Sequence, residues 1–244
     1  MLSRGKPQRG SHRTRGWIVL LVLAWAIGGR LVSAAGNETE RVESATKVLN
    51  EIMAIPEKNI PPALMQDAYG MAVIPNVIKA GFMVGGRHGK GILVVRNAHG
   101  SWSPPVFLTL SGGSVGWQVG VQSSDIILVF RNKSSMDHIL EEQFTLGADA
   151  AVAAGPVGRH VEAGTDVRLT AAIYSYSRSK GLFVGLALEG AMLQVDHSAD
   201  EAYYHQEEIT PKSIFAGDVP SVPSSAQAFI QTITRYGQQS PREK

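Results

Sequence analysis

The sequence predicts an α+β fold: a twisted antiparallel sheet or partial β-barrel built from repeated hairpins, with flanking N- and C-terminal helices. Three observations carry this expectation. Glycine supplies 26 of the 244 residues, about 11% against roughly 7% in ordinary domains, which asks for turns, bulges and close backbone contacts rather than a helical bundle. From Lys79 onward the chain is a series of β-rich segments punctuated by glycine. Apolar residues recur with helical spacing near the two ends of the chain's body, at 38–53 and 224–236.

The N-terminus is set apart by charge. Six of the 23 basic residues and none of the 21 acidic ones lie in residues 1–35, leaving 17 against 21 and a net charge of −4 for the remainder. Arg4, Lys6, Arg9, Arg13 and Arg15 precede an uncharged run of 13 residues from Trp17 to Gly29. That run is short for a spanning helix, which needs about 20 apolar residues, and has the form of a signal-peptide core. The small residues Val32-Ser33-Ala34-Ala35 supply a cleavage site. Residues 1–35 are therefore expected to be an export signal, with an uncleaved signal anchor as the alternative. In either case the body is expected outside the cytoplasm, in a periplasm or cell envelope, as a peripheral membrane protein. Residues 36–236 are expected to form a single domain including its flanking helices, and 237–244 a polar tail.

In the first helix of the body Val42, Ala45, Val48, Leu49, Ile52 and Met53 share one face, and Pro56 and Pro61-Pro62 stop it. Ala63–Ala68 is a short second helix and Met71–Pro75 a short apolar strand. Three segments then share the form G-x-x-V-G: Gly81–Gly85, Gly116–Gly120 and Gly181–Gly185. Seven residues after each final glycine begins a second apolar run: Ile92–Val95, Ile127–Phe130 and Met192–Val195. The equal spacing predicts three copies of one β-hairpin, with Val84, Val119 and Val184 buried on one side. Pro105–Leu110 and Ala171–Ser177 read as further strands. Ser134 or Ser135 caps a short helix through Leu140. The small-residue stretch Phe144–Gly158 reads as a short, close-packed strand. The helix Ser224–Tyr236 presents Ala226, Phe229, Ile230 and Ile233 on one face and ends at Gly237.

The absence of cysteine removes disulfides, thiolate metal sites, iron–sulfur clusters, cysteine nucleophiles and a lipobox. No histidine pair has zinc-helix spacing, so neither a metal nor another cofactor is expected. Gly112-Gly113-Ser114-Val115-Gly116 matches a nucleophile elbow in letters, but a strand follows where a helix is required. A hydrolase using Ser114 is thus a rival reading, and no catalytic residue is assigned. Asp149 and Asp166 are candidate paired carboxylates, although Asp149 in its small-residue segment suits local backbone donors better. Gly85-Gly86-Arg87-His88-Gly89-Lys90-Gly91 is not a phosphate-binding P-loop, since Gly91 stands where Ser or Thr would meet magnesium. As a hairpin loop, its freed N–H groups and two cations suit an anionic headgroup. Lys79, Arg87, His88 and Lys90 are the candidate headgroup ligands, with Arg178 and Lys180 as a second cluster.

Several ordered blocks between Ala68 and Tyr204 resemble the SYLF domain family. They are Ala68–Gly91, Gly100–Phe107, Gly112–Gly120, Phe144–Arg159 and Ile173–Gly185. The resemblance implies a non-enzymatic, lipid-binding module, which in eukaryotic members means phosphoinositide binding and links to actin-based membrane remodelling. The sequence departs from those members in its export signal, its acidic body and the lack of an SH3-like or FYVE-like segment in these 244 residues. The expected partners are membrane lipids with anionic, phosphoinositide-like headgroups. An envelope protein partner without a lipid ligand is the alternative, and the acidic body gives no footprint for nucleic acid. The export reading predicts a mature N-terminus at Ala35 or Gly36, and intact-mass spectrometry of the native protein checks it. A mass that retains Trp17–Gly29 would replace the signal peptide with an anchor.

Overall fold

Apolar periodicity forms the helices where it was expected. The computed structural model describes residues 34–55, 59–97, 99–134, 139, 144–156, 171–179, 182–183 and 188–238. Helix α1 (Ala34–Met53) buries Val42, Ala45, Val48, Leu49, Ile52 and Met53, the face its spacing defines. Helix α2 (Pro62–Asp67) opens with proline in its first turn, where a missing N–H costs nothing. Sheet strands β1 (Gly70–Val95) and β2 (Val106–Phe130) follow. Next come β3 (Phe144–Thr145), β4 (Val152–Ala154), β5 (Ile173–Ser179), β6 (Leu182–Phe183) and β7 (Met192–Val195). The chain closes with α3 (His197–Tyr204), α4 (Pro211–Ala216) and α5 (Ser224–Gly237). Helix α5 buries Ala226, Phe229 and Ile233, with Ile230 packed beside them.

The described strands form one mixed, seven-stranded sheet ordered β3-β7-β2-β5-β4, with β1 on β2 and β6 on β5. Only β4 and β5 run parallel. The α+β class is as the sequence predicts, but the hairpin units are not. Gly81–Val95 is one continuous stretch of β1, and Gly116–Phe130 one continuous stretch of β2. These two strands pair antiparallel from Gly70↔Phe130 to Leu93↔Val106, so Gly81 lies opposite Gly120 and Gly85 opposite Ser114. The first two G-x-x-V-G segments are thus each other's partners across one ladder. In the third unit β6 pairs with β5 and β7 with β2 and β3, so its described parts also belong to different neighbours. The side chains of Val84 and Val119, and Val184, lie outside the described residues.

Alternation along the strands sorts side chains into two cores. Met71, Val73, Ile92, Val94, Ile127, Val129, Tyr174 and Tyr176 join α1, α2, α3 and α5 in one. Ala72, Ile74, Leu93, Leu108, Leu110, Ile126, Leu128, Phe130 and Ile173 form the other, on the inner face of the curl. Directly paired residues such as Val73↔Ile127 and Ile127↔Tyr176 share a core, as side chains on one face of a ladder must.

A straight strand of 26 residues would span about 85 Å, far beyond a small domain. Strand β1 avoids this by curling until its two ends meet. A Cβ on Gly91 would lie 2.3 Å from the Val73 carbonyl oxygen and 2.8 Å from the Ile74 Cα, and one on Gly89 would lie 2.7 Å from a Val77 methyl. The ladder is irregular between Ile74 and Val77, where Asn76 takes a φ of 50° and donates its N–H to Asp125. A second irregularity falls between Gly81 and Met83. Such shifts bend and twist a strand locally. The small-residue stretch is close-packed as expected, a Cβ on Gly155 lying 2.2 Å from the Tyr176 ring, but it is not one strand: a turn at 147–149 separates β3, which pairs with β7, from β4, which pairs with β5. Asp149 accepts the Thr145 N–H at 2.6 Å, a local role, while Asp166 lies outside the described residues. Of the helix expected from Ser134 to Leu140, Ser134 and Ile139 are helical and the rest lies outside them.

Gly91→Ala should destabilise the protein by about 2–4 kcal/mol, because backbone rather than a flexible side chain blocks the methyl group. Gly113→Ala, whose Cβ would meet nothing within 4 Å, should change stability by less than about 1 kcal/mol. Urea unfolding of the two variants checks the contrast; equal losses would mean that the crossing of β1 is not tight.

Candidate binding cleft

The core face of the sheet does not end where the helices end. Val94 and Ile92 are buried under them, and two and four residues further back on the same face come Lys90 and His88, both exposed. Lys90 pairs with Thr109, and Thr109 with Gln194 of β7. This row across three strands meets the start of α3 in an open cleft of about 560 Å³, lined by Lys90, Thr109, Gln194, Val195, Asp196, His197 and Ser198.

Asp196 is the N-cap of α3 and organises the cleft wall. Its Oδ1 accepts hydrogen bonds from the Ala199 N–H at 3.3 Å and the Ser198 hydroxyl at 3.0 Å. Its Oδ2 faces Arg41 Nη1 at 3.2 Å and Lys90 Nζ at 3.6 Å. Burial alone would raise the pKa of this carboxyl. The Ser198 hydrogen bond and the Lys90 and Arg41 charges outweigh it and hold Asp196 below the usual carboxylate range. Arg41 itself is almost fully buried, lies over the Phe107 ring at 5.1 Å and has Glu38 at 3.6 Å as a second partner.

Behind the cleft, α3 is tied to the sheet by Asp200. This fully buried carboxyl accepts the Phe107 N–H through Oδ1 at 2.8 Å, and its Oδ2 has no hydrogen-bond partner. The Tyr204 hydroxyl donates to the Pro105 carbonyl at 2.7 Å, and the Tyr203 hydroxyl meets Ser225 of α5 at 2.6 Å. Burial pushes the Asp200 carboxyl up to about 8; the Phe107 N–H and Arg41 oppose this, while Asp196 and Glu201 add to it.

The residues singled out from the sequence are dispersed by this geometry. Arg87-His88-Gly89-Lys90 is not a hairpin tip but the interior of β1, paired with Leu110, Ser111 and Gly112 among others. Strand alternation therefore puts Arg87 on the face opposite His88 and Lys90. Arg87 is half-buried, and burial lowers its pKa. Lys79 is half-buried opposite Gln122, further along the ladder. Arg178 is hydrogen-bonded to Glu51 of α1 and, at 2.9 Å, to Asp125 of β2, and its side chain is 14% exposed. Lys180 lies outside the described residues. Among the five described candidates Lys90 alone lines the cleft, with His88 two residues away on the same face. Ser114 lies within β2, opposite Gly85, and not on the strand-to-helix turn of a nucleophile elbow. Among the described residues no three His, Asp or Glu side chains converge as metal ligands, and no helix is long and apolar enough to cross a membrane.

Sequence reasoning missed Arg41, Thr109, Gln194, Asp196, His197 and Ser198. A signal existed for Asp196: an aspartate directly before His197–Tyr204, with Asp200 in the first turn, suits an N-cap. Helix α4 carried a similar one, Thr210-Pro211 with Ser213 closing a capping box.

Comparison with known proteins agrees with the blocks read from the sequence. A family model described as Ysc84, Las17-binding protein actin regulator, matches residues 111–236. SH3 domain-containing YSC84-like protein 1 of Xenopus laevis is 35% identical over 189 residues, covering 75% of this chain and 56% of the relative. The protein of the same name from Homo sapiens is 32% identical over 213 residues, covering 85% of this chain and 61% of the relative. Protein YSC84 of Saccharomyces cerevisiae is 34% identical over 177 residues, covering 71% and 37%. The chain thus spans about six-tenths or less of the length of these relatives.

Replacing Asp200 gives a pH-dependent signature. Its folded-state pKa of about 8 stands above its ordinary value of 3.8. The native state therefore holds the proton more tightly, and its contribution to stability is full below the unfolded value and lost as pH rises through the folded one. Asp200→Asn should gain melting temperature relative to the unmodified protein as pH rises from 5 to 8. Thermal unfolding at matched ionic strength checks this; a difference that does not move with pH would mean that Asp200 is ionised in the fold.

Proposed function

This chain belongs to the Ysc84 family, and from that premise we propose that it is a non-enzymatic binding module that takes the phosphate of an anionic membrane lipid in the Lys90 cleft. The observation that carries the reading is the half-exposed ammonium of Lys90 in a cleft edged by Thr109, Gln194, His197 and Ser198. Hydroxyl, amide and imidazole groups beside a cation suit phosphate oxygens, whose recognition needs several donors around one charge. The headgroup ligands in this reading are Lys90 and His88 from the sequence-based set, joined by His197, while the Ser198 hydroxyl stays on the Asp196 cap. Lys79 and Arg87 stand at other positions on the ladder, and Arg178 is engaged by two carboxylates. Family and relatives' names describe regulators and SH3-domain proteins rather than enzymes, which supports the non-enzymatic part.

The export signal is part of the same proposal: a body delivered outside the cytoplasm and held at a membrane face by lipid contact. Because the body is net acidic, attraction to an anionic surface has to come from a local cation rather than from bulk charge. A second reading, a docking module for a protein, is favoured by the family's description as Las17-binding. Under it the same chain would engage a protein partner and ignore vesicles.

Co-sedimentation of the full chain with phosphatidylcholine vesicles, with and without phosphatidylserine, separates the readings. Binding is expected only with the anionic lipid, and Lys90→Ser should weaken it about fivefold, the effect of one surface cation worth about 1 kcal/mol. Added salt should weaken the unmodified protein more than the variant. Arg87→Ser, on the other face, should have a smaller effect. Absence of sedimentation with either vesicle would leave the protein-docking reading in place, and anion-dependent sedimentation unchanged in Lys90→Ser would overturn the Lys90 cleft as the lipid site.

A further inference from the structure

The half-exposed cation of the cleft, Lys90, is already facing an anion, and that anion belongs to the protein. Lys90 Nζ stands 3.6 Å from Asp196 Oδ2. An incoming phosphate at Lys90 must share it with this carboxylate or take it over. Whether that exchange is cheap depends on what each partner has besides the other.

Asp196 loses little. Its Oδ2 keeps Arg41 at 3.2 Å, and its Oδ1 keeps the cap hydrogen bonds from Ala199 and Ser198. Arg41 is the fixed member: its side chain is 7% exposed and it is also close to Glu38. Lys90 is the exchangeable member, because its side chain is 49% exposed and this is its ion-pair partner. An ion pair with one half-exposed partner is worth little, since water and salt screen it and the lysine gives up rotamer freedom to hold it.

We infer that Asp196 is an internal competitor for Lys90, a specificity-determining residue that raises the threshold an external phosphate group must exceed to occupy the cleft. The inference rests on the proposal that the cleft takes a phosphate, and it adds the regulation of that site. The carboxylate is held in place by Arg41 and the cap whether or not Lys90 is bound. Its charge therefore opposes every anionic ligand, and removing the charge strengthens binding where removing Lys90 weakens it. Phosphate is the shared chemistry; a lipid headgroup and free phosphate are its two sources.

The test is a substitution that keeps the cap and removes the charge. Asp196→Asn does this, since asparagine caps a helix as well as aspartate does, and Asp196→Ser is a second cap-competent variant. Arg41 keeps Glu38 as a partner in both. Binding of inorganic phosphate to the full chain, followed by NMR shifts at His88 and His197, is measured beside co-sedimentation with phosphatidylserine vesicles. At low salt Asp196→Asn should bind inorganic phosphate about 3- to 10-fold more tightly than the unmodified protein. Asp196→Ser should gain similarly, and Asp196→Asn combined with Lys90→Ser should lose the gain. A gain with phosphate while no variant sediments with vesicles would support the competitor and overturn the lipid source. Unchanged or weaker phosphate binding in both cap-competent variants with unaltered circular dichroism would overturn the competitor. So would a gain that survives loss of Lys90, because the effect would then be one of net charge.

Discussion

The curl of β1 onto itself is the constraint on which the rest of the molecule depends. The ladder is buried on both faces near its two ends, and rolling it until those ends meet is what buries them. The meeting point admits no side chain at Gly91, where the Val73 carbonyl and the Ile74 Cα already occupy the space of a Cβ. Glycine there is required by contact, not by an unusual φ. Once the ladder is rolled, its inner face closes around Ile74, Leu93, Leu110, Leu128 and Phe130, and its outer face is left for the helices. The helices cover Ile92 and Val94 but not the positions before them, so Lys90 and His88 emerge on an otherwise core-forming face. The cleft is a consequence of where that coverage stops.

What fixes the stopping point is the anchorage of α3. Phe107, opposite Ile92 in the ladder, gives its N–H to Asp200 and receives the edge of the Tyr203 ring, with centroids 4.9 Å apart. Asp200 is a costly way to make this attachment. A buried carboxyl with an oxygen lacking a partner is desolvated without full compensation, and protonation is the cheaper state. The same contact places Asp196, one turn earlier, against Arg41 and Lys90. The interior of the domain and the polarity of the cleft are thus joined through a single helical turn.

The parts of the structure set by local pattern were legible in the sequence. The apolar stripes of α1 and α5 bury the residues their period assigns, and the small-residue segment packs at van der Waals limits against Tyr176. The pairing of strands was not legible, because period-two alternation looks the same in one long strand as in two short ones. Glycines at Gly85, Gly86, Gly89 and Gly91 read as a turn, whereas two of them serve a crossing with residues 73–77. The similarity between Gly81–Gly85 and Gly116–Gly120 was real, but it marked pairing partners rather than copies. The cleft was legible only at Lys90. Its other walls come from β2, β7 and α3, brought together by the sheet, and no local spacing records that convergence.

Lys90 and Arg178 show why clustering of charge in a sequence is a poor guide to a binding site. Both are cations in glycine-containing β segments, and the sequence treats them alike. In the fold, Arg178 is held by carboxylates from two different elements, Glu51 and Asp125, which outweigh the cost of burying it and raise its pKa further. Such a guanidinium joins α1 to the sheet, and freeing it for a ligand would break two ion pairs at once. Lys90 faces one carboxylate that has a better partner already, and leaving it strands nothing. Availability of a cation is therefore decided by the alternatives open to its counter-ion. By that criterion the acidic body does not prevent anion recognition: its carboxylates near the cleft are engaged by Arg41 and the start of α3, and Lys90 remains the charge that can change partners.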